Sequence, residues 1–257
     1  NTGMLEAYAE IDKALADLNG NSAAFRFQED RAFLQGMNQK VASTLFYGNE
    51  GTEPEAFTGF SPRFNDLAAE NADNIIAGGG SGTDNASIWL VVWGPQTCHG
   101  IVPKGSKAGL QVTDKGQVTV EDASDGSNTG RYEAYRTHYR WDVGLTVRDW
   151  RYVVRIPNID KSLLSAVFNA RTFASGANLP DLMFQSMRLI PNLNAGRASF
   201  YMSRDIASTV SRQKAAMGLS SFTEAENVSG DQRWTERFNG IPMRRVDALS
   251  ADEALVT

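Results

Sequence analysis

The chain has 257 residues, 42% of them hydrophobic, so it can bury a substantial core in one large domain or in two interleaved ones. Thirty acidic side chains against 25 Lys and Arg give a formal net charge of −5, which disfavours non-specific binding to DNA or to an anionic membrane. The lone Cys98 excludes an internal disulfide and a multi-cysteine zinc site, and no apolar run approaches the ~20 residues of a membrane span.

Two helices are predicted at the start of the chain. Thr2 can cap the first helix, which Asn19-Gly20 would end. Its apolar positions recur at helical spacing: Leu5, Tyr8, Ile11, Leu15 and Leu18. The second helix runs from about Asn21 to Tyr47 and, at roughly 26 residues, would be about 39 Å long and form a spine of the fold. Gly36 lies inside this helix, where glycine is destabilising, so we expect another element to pack closely there.

Loops and one buried strand are predicted next. Residues 49–73 are mostly loop, and only Pro62–Glu70 is compatible with a short helix. The run Gly78–Gly82 lacks the Lys-Ser or Lys-Thr pair that follows the glycines of a phosphate-binding loop, so a flexible turn is favoured. Ser87–Trp93 is a short continuous apolar run, which is typical of a strand buried on both faces.

A hairpin and a polar loop are predicted before the longest strand. Leu110–Val112 and Val118–Val120 alternate around Asp114-Lys115-Gly116, and this turn sequence favours a hairpin. The polar loop Glu121–Gly130 separates this hairpin from the strand that follows.

A long β-ribbon is predicted over Arg131–Ile159. From Tyr135 to Val147 every odd position is Thr, aromatic or aliphatic, a period-two pattern held far longer than in an ordinary strand. The phase shifts by one residue at Arg148-Asp149, where we expect a turn or a bulge. The other face carries charges of both signs, at Arg136, Arg140, Asp142, Arg151 and Arg155. A ribbon with one buried and one charged face favours an assembly protein over an enzyme with a pocket.

The C-terminal region is predicted to contain helices, a strand and a hairpin. The first four elements are a helix from Asp160 to Arg171, a helix from Asn178 to Ile190, a strand at Ala198–Met202 and a helix from Ser203 to Lys214. Asn239-Gly240, a strong hairpin signal, joins Arg233–Phe238 to Ile241–Val246. Pro242 cannot donate a ladder hydrogen bond, so its strand is expected at a sheet edge.

Few residues are suited to nucleophilic or metal chemistry. Cys98 and His99 are adjacent, so on a strand their side chains point to opposite faces and cannot act as nucleophile and base or bind one metal. His138 lies on the polar face of the ribbon and is expected at the surface. No Gly-x-Ser-x-Gly sequence occurs between a strand and a helix, which argues against a hydrolase nucleophile.

The acidic residues show no pattern of a site either. One set superficially resembles a calcium loop: Asp122, Asp125, Gly126 and Asn128. It lacks the EF-hand spacing and the closing Glu, so a solvated turn is favoured. Glu29-Asp30 lies in an early turn of the spine helix, where the helix dipole favours acids, and Asp231 and Glu236 have no identifiable partner. We therefore predict no catalytic, cofactor-binding or metal-binding residues.

Several sequence blocks between Met4 and Leu249 are distinctive. They are MLEAYAEIDKALADLNGN with AAFRFQEDRAFLQGMNQ, WGPQTCHGIVPKGSKAGL, YRWDVGLTVRDWRYVVRIPNID, FYMSRDI and FNGIPMRRVDAL. The most specific are WGPQTCHGIVPKG and RWDVGLTVRDWRYVVRIPNID. These blocks resemble the major capsid proteins of short-tailed phages of the epsilon-fifteen type, which adopt the Hong Kong 97 shell fold.

The resemblance implies an α+β capsid fold and a coat protein that self-assembles into the icosahedral, DNA-containing head of a tailed bacteriophage. Residues 1–158 would form a peripheral-type region and residues 159–257 an axial-type region. Partners would be copies of the chain in hexamers and pentamers, with scaffolding, decoration and portal proteins as further candidates. DNA would be enclosed without specific binding, and no membrane, cofactor or catalytic activity would be involved. The protein would be made in the host bacterial cytoplasm and end in the virion.

Members of this family also carry an upstream arm and an extended loop that reach over neighbouring subunits. The chain has no initiator Met, so we expect it to be a fragment that begins after those segments. The candidate contacts between subunits are the charged face of the ribbon and the loops Gly78–Gly82 and Glu121–Gly130.

Two other classes of protein remain open at this stage. One is an α+β enzyme or ligand-binding protein with a pocket between the sheet and the late helices, which would be a small oligomer with convergent polar groups. The other is an encapsulin-like shell, which would share the fold but package protein. Particle size and particle contents distinguish these classes.

Overall fold

A computed structural model describes residues 1–18, 20, 23–122, 130–164, 176–216, 223–228, 231–250 and 252–257. Within them the chain forms two units, each with helices and strands. Unit 1 comprises Asn1–Leu45, Asn49–Thr58 and Ile101–Gly144, and unit 2 comprises Phe46–Gly48, Gly59–Gly100 and Leu145–Thr257. The predicted α+β class is confirmed.

The secondary structure follows in chain order. The helices are α1 (Lys13–Leu18), α2 (Ala23–Tyr47), α3 (Leu179–Leu189) and α4 (Arg204–Ala216), and residues 161–164 are also helical. Short 3-10 turns occur at Ser61–Arg63, Ala72–Asn74, Trp150–Tyr152 and Leu193–Ala195. The strands are β1 (Gly3–Asp12), β2 (Asn85–Trp93), β3 (Cys98–Ile101), β4 (Leu110–Asp122), β5 (Gly130–Val147), β6 (Val153–Asp160), β7 (Arg197–Met202), β8 (Thr223–Val228), β9 (Asp231–Phe238) and β10 (Ile241–Arg245).

The first predicted helix is wrong over most of its length, because residues 3–12 form strand β1. β1 pairs antiparallel with β5, from Gly3 opposite Val143 to Asp12 opposite Ala134. Its apolar residues also satisfy period two, so the pairing with β5 outweighs the helix propensity of its Ala, Leu and Glu residues. Only α1 is helical, and its cap is Asp12, whose carboxylate accepts a hydrogen bond from the amide of Leu15 at 3.1 Å.

Unit 1 consists, in its described part, of an antiparallel sheet with α2 on one face. β5 is the central strand, and β1 and β4 pair with its two edges. The long helix α2 ends at Tyr47, as predicted. It contacts the sheet through a small core of Ala9, Met37 and Tyr139. The hydroxyl of Tyr139 also donates a hydrogen bond to buried Asp30 on α2, at 2.8 Å.

The predicted hairpin around Asp114-Lys115-Gly116 is wrong, because these residues lie within the continuous strand β4. The register with β5 shifts between Asp114 and Gly116. Gly116 has a φ of +71°, and its amide donates to the Asp114 carboxylate at 2.8 Å. The three residues therefore form a β-bulge, which uses the same positive-φ glycine that a tight turn would use.

Strand β2 is the centre of unit 2. It pairs antiparallel with β6 and with β7, β10 runs parallel to β7, and β9 and β8 continue the sheet. β2 is buried from Asn85 to Val92, which confirms the prediction of a strand covered on both faces. One face of the sheet packs against α3 and α4 through Ile88, Leu90, Ile156, Phe200, Met183, Ile206 and Val210.

The other face of β2 packs against aromatic rings. The ring centroid of Trp89 lies 5.7 Å from Phe60, 6.0 Å from Phe46 and 6.1 Å from Phe64. The short helix predicted over Pro62–Glu70 is wrong over most of its length, because only the 3-10 turn Ser61–Arg63, flanked by Phe60 and Phe64, is helical there. Burial of these two rings thus fixes a loop that has little regular structure of its own.

The predicted helix caps in the C-terminal region are confirmed. Asp160, Asn178 and Ser203 each accept a hydrogen bond from the amide three residues later, at 3.1, 3.4 and 3.5 Å. Each oxygen satisfies one of the free amides at a helix start. The predicted helix from Asp160 towards Arg171 is helical at residues 161–164, and the rest of it lies outside the described residues.

The last hairpin is confirmed, but the edge position of its second strand is wrong. Asn239 and Gly240 have φ values of +48° and +82°, as a two-residue type I′ turn requires. β10 pairs with β9 and also with β7. Pro242 is tolerated in this inner strand because pairing with β7 begins only at Met243, after the residue that lacks an N–H.

The glycine run Gly78–Gly82 is not a flexible turn. The amides of Gly78 and Gly80 donate to the carbonyls of Pro157 and Asn158 on β6, each at 2.8 Å. A Cβ at Gly80 would lie 2.7 Å from the Asn158 carbonyl oxygen. Glycine is needed here because the two backbones approach each other closely, so this candidate contact loop is anchored within unit 2.

The two units do not follow the predicted division near Asn158. β2 and the later helices share one core, although β2 precedes the division and the helices follow it. The predicted regions refer to roles in a shell, and they stay a prediction.

Candidate assembly surfaces

The predicted charged face of the ribbon is paired within its own sheet. Four residues of β1 lie directly opposite four of β5 and form the outer face of unit 1: Met4, Glu6, Tyr8 and Glu10 with Asp142, Arg140, His138 and Arg136. Arg136 contacts Glu10 at 2.6 Å, and Arg140 lies 3.8 Å from Glu6. β1 therefore largely neutralises the charges of Arg136 and Arg140. The sequence does not predict this pairing, because it predicts a helix over residues 3–12.

Asp142 is the buried acid of this face. Its carboxylate accepts a hydrogen bond from Ser106 Oγ at 2.5 Å and lies 3.2 Å from Arg140 Nε. The Ser106 hydrogen bond, followed by the bond and charge of Arg140, holds the pKa of Asp142 below its usual value. The carboxylate thus stays ionised and fixes the guanidinium of Arg140 against the sheet.

His138 is half-buried rather than a surface residue as predicted. Its ring stacks on Tyr8 with centroids 4.6 Å apart, and Nε2 lies 3.6 Å from Glu6. The stacking covers the ring on its β1 side, which accounts for the low exposure. His138 therefore strengthens the pairing of β1 with β5.

Arg155, predicted on the charged face, is a buried residue of unit 2. Its guanidinium contacts Glu253 at 2.8 Å, Ser87 Oγ at 3.2 Å and the Phe64 carbonyl at 2.7 Å. It also lies over the ring of Trp89, 5.0 Å from the centroid. A buried guanidinium with this many acceptors is a structural ion pair and not a contact surface.

Glu253 attaches the C-terminal segment to unit 2. Its carboxylate also accepts hydrogen bonds from Ser87 and, at 2.6 Å, from Tyr47. Burial, and then the negative charge of Glu253, raises the pKa of Tyr47 well above its usual value. Further along the segment, Asn158 exchanges two hydrogen bonds with the backbone of Val256, at 2.8 and 2.9 Å.

The remaining candidate contacts have mixed outcomes. Arg151 is exposed, but its guanidinium is held by Asp149 at 2.7 Å. The Glu121–Gly130 loop lies mostly outside the described residues, as do Asp125, Gly126 and Asn128 of the calcium-like set. Of the acids without a predicted partner, Glu236 pairs with Arg245.

An exchange of charge between strands tests whether Arg136 serves β1 or a neighbouring subunit. Arg136→Glu is expected to cost about 0.2–1 kcal/mol of unfolding free energy, because it loses a partly exposed ion pair and faces Glu10. The double variant with Glu10→Arg should recover most of that loss in urea unfolding. If assembly also recovers in the double variant, the pair acts within the chain; continued loss of assembly would place Arg136 at an intersubunit contact.

Cys98 and His99 do not form a reactive pair. Cys98 is buried, and burial raises the pKa of its thiol to about 12, outweighing the opposing charge of Arg63. At neutral pH the sulfur is therefore an unreactive thiol. The described part of the chain contains no cluster of three or more His, Cys, Asp or Glu side chains able to hold a metal ion.

Alkylation of Cys98 provides a direct check of this burial. At pH 8 iodoacetamide should label the native protein far more slowly than the protein in 6 M guanidinium, since the native thiol is both covered and protonated. Mass spectrometry of the single thiol reports the rate. Equal rates in the two states would show that the thiol is accessible.

Exposed apolar side chains are concentrated in unit 1, the smaller unit. Of the described residues, unit 1 holds only seven of the 37 buried hydrophobic residues but ten of the 16 exposed large ones. The ten are Met4, Tyr8, Leu15, Leu18, Phe27, Phe33, Val102, Leu110, Val112 and Tyr132. Unit 1 therefore exposes more large apolar side chains than unit 2 does. No helix in the described part of the chain has the length and apolar character that a membrane crossing needs.

Comparison with known proteins agrees with this description. The sequence model of the family described as "Major capsid protein GP7" matches residues 1–257. A chain in the near-atomic resolution cryo-EM structure of bacteriophage epsilon15 is 35% identical, with a TM-score of 0.66, and the match covers 100% of this chain and 75% of that chain. No curated protein matches at a significant level. The predicted resemblance is confirmed: the chain belongs to the GP7 family of major capsid proteins and is a coat protein of a phage head.

Proposed function

We propose that the chain is the repeating subunit of an icosahedral, DNA-filled head with the Hong Kong 97 shell fold. Hexamers and pentamers of the subunit would form the shell. The observation that carries this proposal is the composition of unit 1, which exposes more large apolar side chains than it buries hydrophobic residues. Such a unit reaches its stable form when neighbouring subunits cover it.

The electrostatics suit a container for DNA. The net charge is −5, and the arginines of the outer face are paired with acids of β1. A net negative subunit whose outer-face arginines already pair with acids gains little from counterion release on the duplex, so the DNA could slide out when the head empties. We accordingly propose enclosure of DNA without specific binding.

The division of roles follows the elements. Unit 1 carries the long helix α2 and the ribbon strands β4 and β5, the elements assigned to a peripheral-type region. Unit 2 carries the helices and the sheet of the C-terminal part, and we assign the axial-type role to residues 159–257 within it. Scaffolding, decoration and portal proteins are the further partners that such a subunit would meet, in the host bacterial cytoplasm before it becomes part of the virion.

A structural role is also proposed in place of catalysis. The described cavity beside the late helices has about 230 Å³ and lies between residues 161–164 and α4. Its charged groups include Lys161 and Asp205, which bind each other at 2.9 Å. Lys161 and Asp205 on the wall of this small open cavity are bound to each other, which favours a structural role over substrate binding.

Sedimentation and content analysis of the purified coat protein test the proposal. We expect fast-sedimenting particles, and heads purified from infected cells should contain nuclease-protected DNA. A small oligomer at all concentrations would contradict the shell function. Particles that contain protein cargo and no DNA would replace the phage head by an encapsulin-like shell.

A further inference from the structure

Two carboxylates lie close together at one end of the β2–β6 pair in unit 2. Asp84 immediately precedes β2, and Asp160 is the last residue of β6. A Cβ built on Gly82 would lie 2.6 Å from Asp160 Oδ2 and 3.1 Å from Asp84 Oδ1. The two oxygens therefore border the same small space, and the two side chains are within hydrogen-bonding range of each other.

The other oxygen of each carboxylate is held by the start of the helix that follows β6. Asp160 Oδ1 accepts hydrogen bonds from Ser162 Oγ at 2.6 Å and from the Leu163 amide at 3.1 Å. Asp84 Oδ2 accepts a hydrogen bond from the Ser162 amide at 3.0 Å. These bonds orient both carboxylates and leave Asp84 Oδ1 and Asp160 Oδ2 for the space beside the glycine.

The charge of this pair is not balanced by a neighbouring cation of the described residues. Hydrogen bonds from the Ser162 hydroxyl and then from the Leu163 amide hold the pKa of Asp160 below its usual value, so this acid is ionised at neutral pH. Lys161 is adjacent in sequence, but it is bound to Asp205 at 2.9 Å. Two carboxylates at this distance need either a shared proton or a bound cation between them.

Asn85 supplies an independent indication of a cation. It is only 1% exposed, and its Oδ1 has no hydrogen-bond partner among the described residues. Asn85 lies directly opposite Asp160, and the Lys161 amide donates to the Asp84 carbonyl beside them, so the two form a non-hydrogen-bonded pair with close side chains. Asn85 Nδ2 donates to the Gly82 carbonyl at 2.7 Å. The unpartnered oxygen thus belongs to an amide that reaches from Asp160 to the glycine beside both carboxylates.

We propose that Asp84, Asn85 and Asp160 bind a calcium ion at this end of unit 2. Their free atoms are two carboxylate oxygens and an amide oxygen, and hard oxygen donors of this kind suit Ca²⁺. Ca²⁺ tolerates an irregular ligand set and completes it with water, which can reach the partly exposed Asp84. The bound ion fastens the loop before β2 to the end of β6.

The sequence predicts no metal-binding residues, and this site differs from that prediction for a physical reason. Its carboxylates belong to segments that are far apart in the chain and meet only when β2 pairs with β6. The run from Asp84 to Asn85 has no ligand spacing of its own, so the site is visible only in the folded structure.

Urea unfolding of the free subunit in a chelator and in calcium tests the proposal. Calcium at about 10 mM should lower the unfolding equilibrium constant of the wild type about ten- to a hundredfold, the effect of a ligand with a Kd of roughly 10⁻⁴–10⁻³ M. Magnesium at the same concentration should have a smaller effect, because it requires near-octahedral ligands. Equal unfolding in calcium and in chelator would overturn the site in favour of a shared proton. A magnesium effect as large as that of calcium would overturn the choice of ion.

Two Asp→Asn variants locate the calcium response. Asp84→Asn should abolish it, and in chelator this variant should be at least as stable as the wild type, because an amide can donate to Asp160 where two carboxylates repel. Asp205→Asn removes a nearby exposed acid and should keep the wild-type response. A response that persists in Asp84→Asn, or that is lost in Asp205→Asn, would place the ion elsewhere and overturn the inference.

Hydrogen exchange on the unaltered protein covers the case in which Asp84→Asn fails to fold. Calcium should slow exchange of the amides of residues 82–85 and 160–163 at least about tenfold relative to chelator. Equal exchange at these residues in the two conditions would overturn the site. Because both measurements use free subunits, their outcome does not depend on whether the subunits form a shell.

Discussion

Replacing Arg155 by Met is expected to destabilise the protein by about 3–5 kcal/mol. The change leaves the Glu253 carboxylate buried without its counter-charge, and breaking a buried ion pair from one side carries a penalty of this order. The Phe64 carbonyl also loses its donor. Urea unfolding of the free subunit measures the change.

Two further variants separate loss of the pair from loss of packing. The double variant Arg155→Met/Glu253→Met removes both charges and should recover a large part of the lost stability, since an apolar pair of similar volume can replace a buried ion pair. Arg151→Met breaks the exposed pair with Asp149 and should leave the urea midpoint close to that of the wild type. A loss below 1 kcal/mol for Arg155→Met itself would show that the buried pair does not hold the C-terminal segment.

Replacing Gly80 by Ala is the second substitution with a large expected effect. The added Cβ would lie within 2.8 Å of the Asn158 oxygen, the Asp160 amide and the Asp160 Cβ. β6 is buried throughout and cannot move aside, so we expect a loss of roughly 1–3 kcal/mol, as for an overpacked core. Thermal and urea unfolding report the loss.

Gly36→Ala is the matched control for this substitution. The Cβ added at position 36 meets nothing within 4 Å among the described residues, and the position lies in a helix, so the free energy of unfolding of the free subunit should rise by up to about 1 kcal/mol. We expect Gly80→Ala to lower the free energy of unfolding and Gly36→Ala to raise it. If Gly80→Ala leaves the free energy of unfolding unchanged, the glycine run is the flexible turn that its sequence predicts.

Local sequence signals were sufficient where one short stretch determines the structure. The caps at Asp160, Asn178 and Ser203 depend on a side chain and an amide three residues away, and the Asn239-Gly240 turn depends on positive φ. The burial of β2 follows from its unbroken apolar run. In each case the deciding interaction lies within a few residues of the signal.

The elements that the sequence predicts wrongly depend on contacts with residues far away in the chain. Residues 3–12 have good helix propensity, and pairing with β5, more than a hundred residues later, makes them a strand. Arg155 sits on a polar phase of the ribbon, but its counter-charge Glu253 is 98 residues away. The sequence predicts Asp30 only as an acid that the helix dipole favours near a helix start. In the structure Asp30 accepts a hydrogen bond from Tyr139, 109 residues away.

The candidate assembly surface was predictable only in part. The sequence predicts the charged face of the ribbon correctly. It does not predict the pairing of this face with Glu6 and Glu10, because that pairing requires residues 3–12 to form a strand. The sequence of Gly78–Gly82 predicts a flexible turn because nothing within this run indicates that β6 lies against it. Another element was predicted to pack closely at Gly36, but a Cβ placed there would meet nothing within 4 Å among the described residues.

Electron microscopy of particles assembled from the purified coat protein tests most directly whether this chain exists to pack against copies of itself. We predict closed shells on an icosahedral lattice, with one copy of the two-unit chain at every lattice position. Protein that remains monomeric at high concentration and gives no lattice would contradict the account.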